Sequence, residues 1–425
     1  MSVHPSRPAT PARLADPAHP AASARLADPA RPAASARPAA SARSAAPAAP
    51  APRPSTRLGA ARAGSRSSSR LRHPRLLGVA GGLAGLALLA GCASAPSDTA
   101  ASGSAGAGEN CARMVTNSGG LDDRSFNQSS WAGLQKAEKD DGIQARVLVS
   151  TTENDLAPNV AQAVDSGCGF VLTVGYELAP ATEEQAKANP DIDFAIVDET
   201  VEAPNVKPIL FDTAQASYLA GYLAAGVSKT GKVATFGGGN QPPVTLFMDG
   251  FADGVDAYNA AHGTSVQLLG WSKEAQDGSF TGDFEDVNKG KQLAQALIDQ
   301  GADVIMPVAG QVGEGAASAA LATGDVDVIW VDNDGYDTLP AEYRPIVLTS
   351  VIKDTEKAVQ QIAVSSTDDS FTNEPYVGTL DNGGVGLAPF HDLASSVSPE
   401  LSAELDALRD QIASGAVTVT SPSQP

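Results

Sequence analysis

From Arg113 onward, short apolar runs alternate with longer amphipathic ones. RMVTNS (113–118), ARVLVS (145–150), FVLTVG (170–175), FAIVDE (194–199) and PILFD (208–212) read as strands. So do KVATFG (232–237), VQLLGW (266–271), DVIMPVAG (303–310), VDVIWVD (326–332), IVLTSV (346–351) and Tyr376–Leu380. Helical segments fall near 125–140, 155–166, 178–188, 218–228, 244–261, 288–300, 313–323, 354–366 and 398–414. Strands that are apolar almost throughout are buried on both faces, as parallel strands are. Their alternation with helices predicts right-handed βαβ units and an α/β, doubly wound fold. The strand count is too high for one small sheet, and the order suggests two similar lobes.

Parallel sheets of this kind bind ligands at the carboxyl ends of their strands. The unusual residues of this chain collect there: Asn117-Ser118-Gly119-Gly120, Gly175-Tyr176, Asp198-Glu199, Gly237-Gly238-Gly239, Ala309-Gly310 and Asp332-Asn333-Asp334-Gly335. Glycine there allows positive φ and close approach of backbone N–H groups. Any single one is explained by an ordinary strand–helix turn. Six converging from two lobes make a stronger case for a site.

The first ninety residues have another character. Residues 1–70 are Ala, Pro, Arg and Ser, with ARLADPAHPAAS at 12–23 repeated as ARLADPARPAAS at 24–35. Such a composition cannot offset the entropy of ordering. This leader is read as lost with the signal or, preferably, as sequence upstream of the true start. The basic Arg70-Leu71-Arg72-His73-Pro74-Arg75 then precedes an apolar run, Leu76 to Ala90, and Leu89-Ala90-Gly91-Cys92. A basic n-region, a short apolar h-region and small residues form a secretory signal over 71–91. Cys92 after Leu-Ala-Gly looks like a bacterial lipobox, whose thiol is acylated. The run is too short to span a bilayer comfortably, so an exported, lipid-anchored protein on the outer face of the cell membrane is expected. Residues 92–109 then form a small-residue tether.

Charge narrows the partners. The chain carries 29 Lys and Arg against 49 Asp and Glu, and 13 Arg with only 2 Asp lie before Cys92. The remainder is therefore strongly acidic, which excludes a nucleic-acid footprint and disfavours polyanionic ligands. A neutral or cationic small molecule fits better. Cys111 and Cys168 each precede a strand, so a disulfide between neighbouring strand starts is possible in an exported protein; two inert buried thiols are the alternative. Only His262 and His391 follow the signal, neither in a strand-end cluster, which argues against a Ser-His-Asp triad. There is no HExxH, no metal-spaced Cys pair and no P-loop. No catalytic residue, metal or cofactor is expected.

MVTNSGGLDDRSFNQSSWAGL (114–134) resembles the opening motif of the basic membrane lipoprotein (BMP, PnrA-like) family of ABC importer substrate-binding proteins. TENDLAPNVAQAVDSGCGFVLTVGYEL (152–178), FDTAQASYLAGYLAA (211–225), GGGNQPPVTLFMDGFADGV (237–255), DVIMPVAGQVGEGA (303–316) and VIWVDNDGYD (328–337) continue it in register. The resemblance covers about 110–395. The family's first strand usually ends in Asp, where this chain has Asn117. The resemblance implies the type I periplasmic-binding-protein fold, two doubly wound lobes joined by a three-stranded hinge with crossings near Asp212, Ser350 and Tyr376. Lobe one is then 110–212 plus 351–376, and lobe two 213–350 plus 377–395, followed by a C-terminal helix and tail (396–425).

It also implies the ligand. Many members bind purine nucleosides, so Phe126 and Phe247 are expected to sandwich a base, with stacking of about 1–3 kcal/mol per base. Asp123, Asn127 and Asp198 are candidates for the base edge. Asp122 is expected to cap the following helix, and Asp123 suits either role. Asp332 and Lys353 are candidates for the ribose hydroxyls, with Gly310 offering backbone groups. The expected partners are a nucleoside, ABC permease and ATPase subunits, and the membrane through the lipid anchor, with the receptor itself a monomer. A sugar-binding receptor of the same fold is the main alternative; a sensory receptor or a hydrolase stands further off.

Overall fold

Two six-stranded sheets, each wrapped by helices, form the part of the chain seen in the computed structural model, which describes residues 108–368 and 370–425. The leader, the signal segment, Cys92 and most of the tether lie outside the described residues. The first sheet is built from β1 (Gly108–Val115), β2 (Gln144–Leu148), β3 (Cys168–Val174), β4 (Asp193–Val197) and β5 (Val206–Phe211). Helices α1 (Phe126–Asp141), α2 (Glu153–Asp165) and α3 (Ala179–Ala188) connect the first four of these strands. Helix α4 (Thr213–Val227) leads into the second sheet, with β6 (Lys232–Gly237), α5 (Pro242–His262) and β7 (Gln267–Leu269). A small ribbon of β8 (Trp271–Ser272) and β9 (Asp277–Gly278) follows, then α6 (Val287–Asp299), β10 (Val304–Val308) and α7 (Gly313–Thr323). The chain continues through β11 (Asp327–Asp332), the short α8 (Gly335–Thr338), β12 (Val347–Lys353), α9 (Thr355–Ser365), β13 (Tyr376–Gly378), β14 (Val385–Leu387) and α10 (Pro399–Ala413).

The strand orders are β13-β5-β4-β3-β1-β2 and β14-β12-β11-β10-β6-β7. Every pairing in the two sheets is parallel except β12 with β14. Central strands are apolar end to end because helices cover both faces; Phe194 to Val197 and Val304 to Val308 are buried without interruption. Cys111 and Cys168 are joined by a disulfide that ties β1 to β3, Cα to Cα 5.2 Å.

The chain passes between lobes three times, and two passages fall later than expected. Asp212, between β5 and α4, is the first. The strand expected to end near Ser350 instead stays in the second sheet through Lys353, and α9 then returns to pack on α1. β13 pairs with β5 through Gly378 before β14 rejoins the second sheet. Lys353 therefore belongs to the sheet of lobe two. Gln215 ties the first and third passages together: its amide donates to Asp212 Oδ2 (2.9 Å), and its oxygen accepts from the Leu380 N–H (2.9 Å).

Two local features depart from the apolar pattern for identifiable reasons. α4 starts at Thr213 rather than near 218, because it is buried nearly all round and shows no polar face to mark its first turn. VQLLGW is not one strand: Gly270, at φ 85°, breaks it, and a Cβ there would stand 2.2 Å from the Thr235 carbonyl oxygen. α4 and α5 approach so closely that a Cβ on Gly221 or Gly254 would lie 2.0 Å from a backbone oxygen of the other helix.

Candidate functional site

The carboxyl ends of both sheets face one cleft, lined by residues of both lobes, and a concave, largely apolar site of this kind suits a small-molecule ligand. At its inner, hinge-side end lies Lys353, the last residue of β12 and only 4 % exposed. Its ammonium is 2.5 Å from Asp198 Oδ2 and 3.3 Å from Asp332 Oδ1. Asp198 follows β4 and Asp332 ends β11, in each case the fourth strand of its sheet in chain order. Burial disfavours the ammonium, but the two carboxylates outweigh it and hold Lys353 above the usual lysine range. Burial pushes the Asp198 carboxyl up, against the pull of Lys353. One cation shared by two carboxylates leaves buried acceptor capacity that a ligand's hydroxyl groups can use.

Both aspartates are held in the left-handed region, at φ 61° for Asp198 and φ 67° for Asp332. Asp tolerates that region better than most residues but still pays for it, about 1–3 kcal/mol in sparsely populated conformations. Such strain marks functional positions, and here the turn is what aims each carboxylate back at the cleft. The Lys353 ammonium also lies 4.6 Å from the Phe126 ring centroid, 5.7 Å from that of Phe211 and 5.9 Å from that of Phe247. Phe126 and Phe247 both line the cleft, one from each lobe, at the starts of α1 and α5. Phe247 is at the same time part of the main core.

Asp123 combines the two roles that its sequence left open. Its carboxylate accepts the N–H groups of Ser125 (3.2 Å), Asn127 (2.6 Å) and Gln128 (3.0 Å), and so caps α1. It also lines the cleft. Burial pushes its carboxyl up to about 6, against those three backbone hydrogen bonds and helped by the charge of Asp332. Asp122, expected as the cap, is exposed instead. The capping carboxylate must sit inside the turn that leads into the helix, and the left-handed Arg124 (φ 57°) gives that place to Asp123.

The lobes are clasped on either side of the cleft. Ser125 Oγ donates to Asp332 Oδ2, and the Asn333 amide donates to the Ser125 carbonyl (2.9 Å). Arg124 donates to the Thr338 carbonyl (3.0 Å) and pairs with Glu314 (3.4 Å). At the outer end the Gln241 amide donates to the Tyr176 hydroxyl (2.7 Å). Glu177 and Phe284 also line this end. Phe284 is seated against Gly238, where a Cβ would lie 2.4 Å from the ring.

Of the residues singled out from sequence, Asp123, Phe126, Asp198, Phe247, Gly310, Asp332 and Lys353 line one cleft. Asn127 does not. It is buried behind the wall, where its amide donates to Asn117 Oδ1 (2.6 Å) and so positions Asn117. Asp198 lies with Asp332 about the Lys353 ammonium. Gly237, Gly238 and Gly239 do not line the cleft; their missing side chains make room for Phe280, Phe284 and Gln241. Tyr176, Glu177, Gln241, Phe284 and Gln311 were not singled out, although Tyr176 lay in a flagged strand-end loop. Among the described residues no group of three or more His, Cys, Asp or Glu could hold a metal ion, and no helix is long and apolar enough to cross a membrane.

Comparison with known proteins gives this geometry its family. Residues 112–422 match the family described as ABC transporter substrate-binding protein PnrA-like. The chain is 33 % identical over 325 residues to the CD4+ T-cell-stimulating antigen of Listeria monocytogenes, covering 72 % of this chain and 87 % of the relative. It is 31 % identical over 359 residues to the ABC transporter nucleoside-binding protein BmpA of Lactococcus lactis, covering 80 % and 96 %. A crystal structure of an ABC transporter solute-binding protein from Aeropyrum pernix superposes with a TM-score of 0.65 at 21 % identity, covering 73 % and 93 % of the two chains, and shows the shared fold. The chain belongs to the PnrA-like (Bmp) family of ABC transporter substrate-binding proteins, with the type I periplasmic-binding-protein fold, and is a binding protein rather than an enzyme.

Proposed function

We propose that this protein captures a nucleoside, specifically a purine nucleoside, in the cleft between its lobes and delivers it to a membrane permease. The observation that carries the reading is the juxtaposition of two aromatic rings from opposite lobes with a buried Asp198–Lys353–Asp332 group. A planar base suits the rings, and a ribose diol suits paired carboxylates beside an ammonium. The name of the Lactococcus lactis relative points the same way. Asp332, Lys353 and Asp198 take the sugar, Phe126 and Phe247 the base, and Gly310 offers its backbone. Asp123 holds α1 in place and adds a polar contact. Acylation at Cys92 anchors the monomeric receptor to the outer face of the cell membrane, where permease and ATPase subunits are its partners.

A thermal-shift panel tests this with inosine, guanosine, adenosine, cytidine, ribose, galactose and xylose. A ligand at about 100 times its dissociation constant adds about 2.7 kcal/mol to the bound state. Stabilisation by purine nucleosides and not by the free sugars is the expected result. Stabilisation by the sugars alone would replace the nucleoside reading with that of a sugar receptor.

A further inference from the structure

The outer end of the cleft carries polar atoms that the ring pair and the sugar group do not use. Glu177 Oε2 and Gln241 Oε1 are buried, and neither has a hydrogen-bond partner. They come from opposite lobes and line the same cavity. A buried acceptor left unmatched is costly, so each is poised for an incoming donor. Gln241 gives its amide to the Tyr176 hydroxyl, which leaves its oxygen as the unmatched atom. Asn117 is held in the same way. Its oxygen accepts from the Gly119 N–H (3.1 Å) and from the Asn127 amide (2.6 Å). Its own amide is thereby turned toward Gly175, where the Glu177 carboxylate also lies. An aspartate at 117 would set a second carboxylate beside Glu177; asparagine removes that repulsion and leaves Glu177 as the acceptor.

We infer that Glu177 selects the base: its free carboxylate oxygen takes the ring N–H of a 6-oxopurine, so the site prefers guanosine and inosine to adenosine. This rests on the nucleoside reading. The chemistry is one of donor and acceptor. Guanine and hypoxanthine carry a proton on N1, and guanine adds an exocyclic amino group beside it that Gln241 Oε1 is placed to accept. Adenine presents a bare N1 lone pair at the same point, which faces a carboxylate oxygen unfavourably. A site built to accept a hydrogen bond discriminates strongly against the analogue that lacks the donor.

Calorimetric titration of guanosine, inosine and adenosine into the wild-type protein and the Glu177→Gln variant tests the assignment. Wild type is expected to bind guanosine and inosine about tenfold or more tighter than adenosine. Glu177→Gln, which can present either an amide N–H or an oxygen, is expected to lose about tenfold for guanosine and to gain for adenosine, collapsing the preference. An unchanged melting temperature without ligand shows that the variant folds. If wild type binds purine nucleosides but Glu177→Gln leaves their ranking unaltered, the assignment of Glu177 is overturned and the nucleoside reading stands. If no nucleoside binds while a free sugar does, both fall.

Discussion

Replacing Lys353 by Met tests the charge arrangement at the heart of the site. Met fills a similar volume but removes the one cation that lies between Asp198 and Asp332, at 2.5 and 3.3 Å. Two buried carboxylates then face each other without compensation. Removing one partner of a buried ion pair costs about 3–5 kcal/mol, which at this domain size corresponds to a fall in melting temperature of about 6–20 °C. The deficit should depend on pH. In the wild type Lys353 is raised above its ordinary value, so its contribution is complete below the unfolded lysine pKa and is lost only as pH rises through the folded one. In the variant, Asp198, already raised by burial, loses its counter-ion and is raised further. A raised carboxyl binds its proton more tightly when folded, so the variant's stability falls as pH rises from about 4 through that raised value. The gap between the two proteins should therefore widen from pH 4 to pH 7. Urea midpoints at several pH values measure it, and Lys353→Met/Asp198→Asn should recover much of the loss. A variant within about 0.5 kcal/mol of wild type at pH 7, the scatter of ordinary surface changes, would refute the reasoning.

Phe247→Leu keeps most of the core packing but removes the ring, so nucleoside affinity should fall by the stacking energy, about 1–3 kcal/mol, with a smaller change in melting temperature; calorimetry showing unchanged affinity would remove Phe247 from the base slot. Cys111→Ser opens a bridge between residues 57 apart in sequence and should cost about 2–4 kcal/mol. Reduction of the wild type should reproduce that loss in denaturant titrations, and equal midpoints with and without reductant would show that the bond does not constrain the chain. Gly221→Ala places a Cβ 2.0 Å from the Phe251 carbonyl oxygen, so α4 and α5 must separate at a cost of about 1–3 kcal/mol; a neutral result would mean that the helix pair is slack.

Period and composition over a few residues account for most of the secondary structure. Apolar runs such as FAIV and DVIMPV are strands buried on both faces wherever they fall in a doubly wound sheet, and the carboxyl ends of such strands are where Asp198, Gly310 and Asp332 stand out as candidates. The family motif around Phe126 carried the rest of the inner site. Features that depend on what packs from elsewhere were not legible in the same way. α4 conceals its first turn because it is buried on every side. The carboxylate that caps α1 is decided between Asp122 and Asp123 by a turn at Arg124.

Two of the three passages between lobes lie a few residues beyond where local pattern puts them, for a related reason. An apolar strand such as β12 reads the same whichever sheet it joins, so local pattern cannot say that it continues to Lys353. The outer end of the cleft is the clearest case. Glu177, Gln241 and Phe284 are each ordinary in their own segments, and Gly238 reads as a turn residue until the Phe284 ring is seen against it. Local sequence determined which residues stand at the strand ends, because side-chain period and turn chemistry act within a few residues. Only the tertiary structure decided which of those ends share a cleft, because that depends on the three passages between lobes and on contacts between residues far apart in the chain.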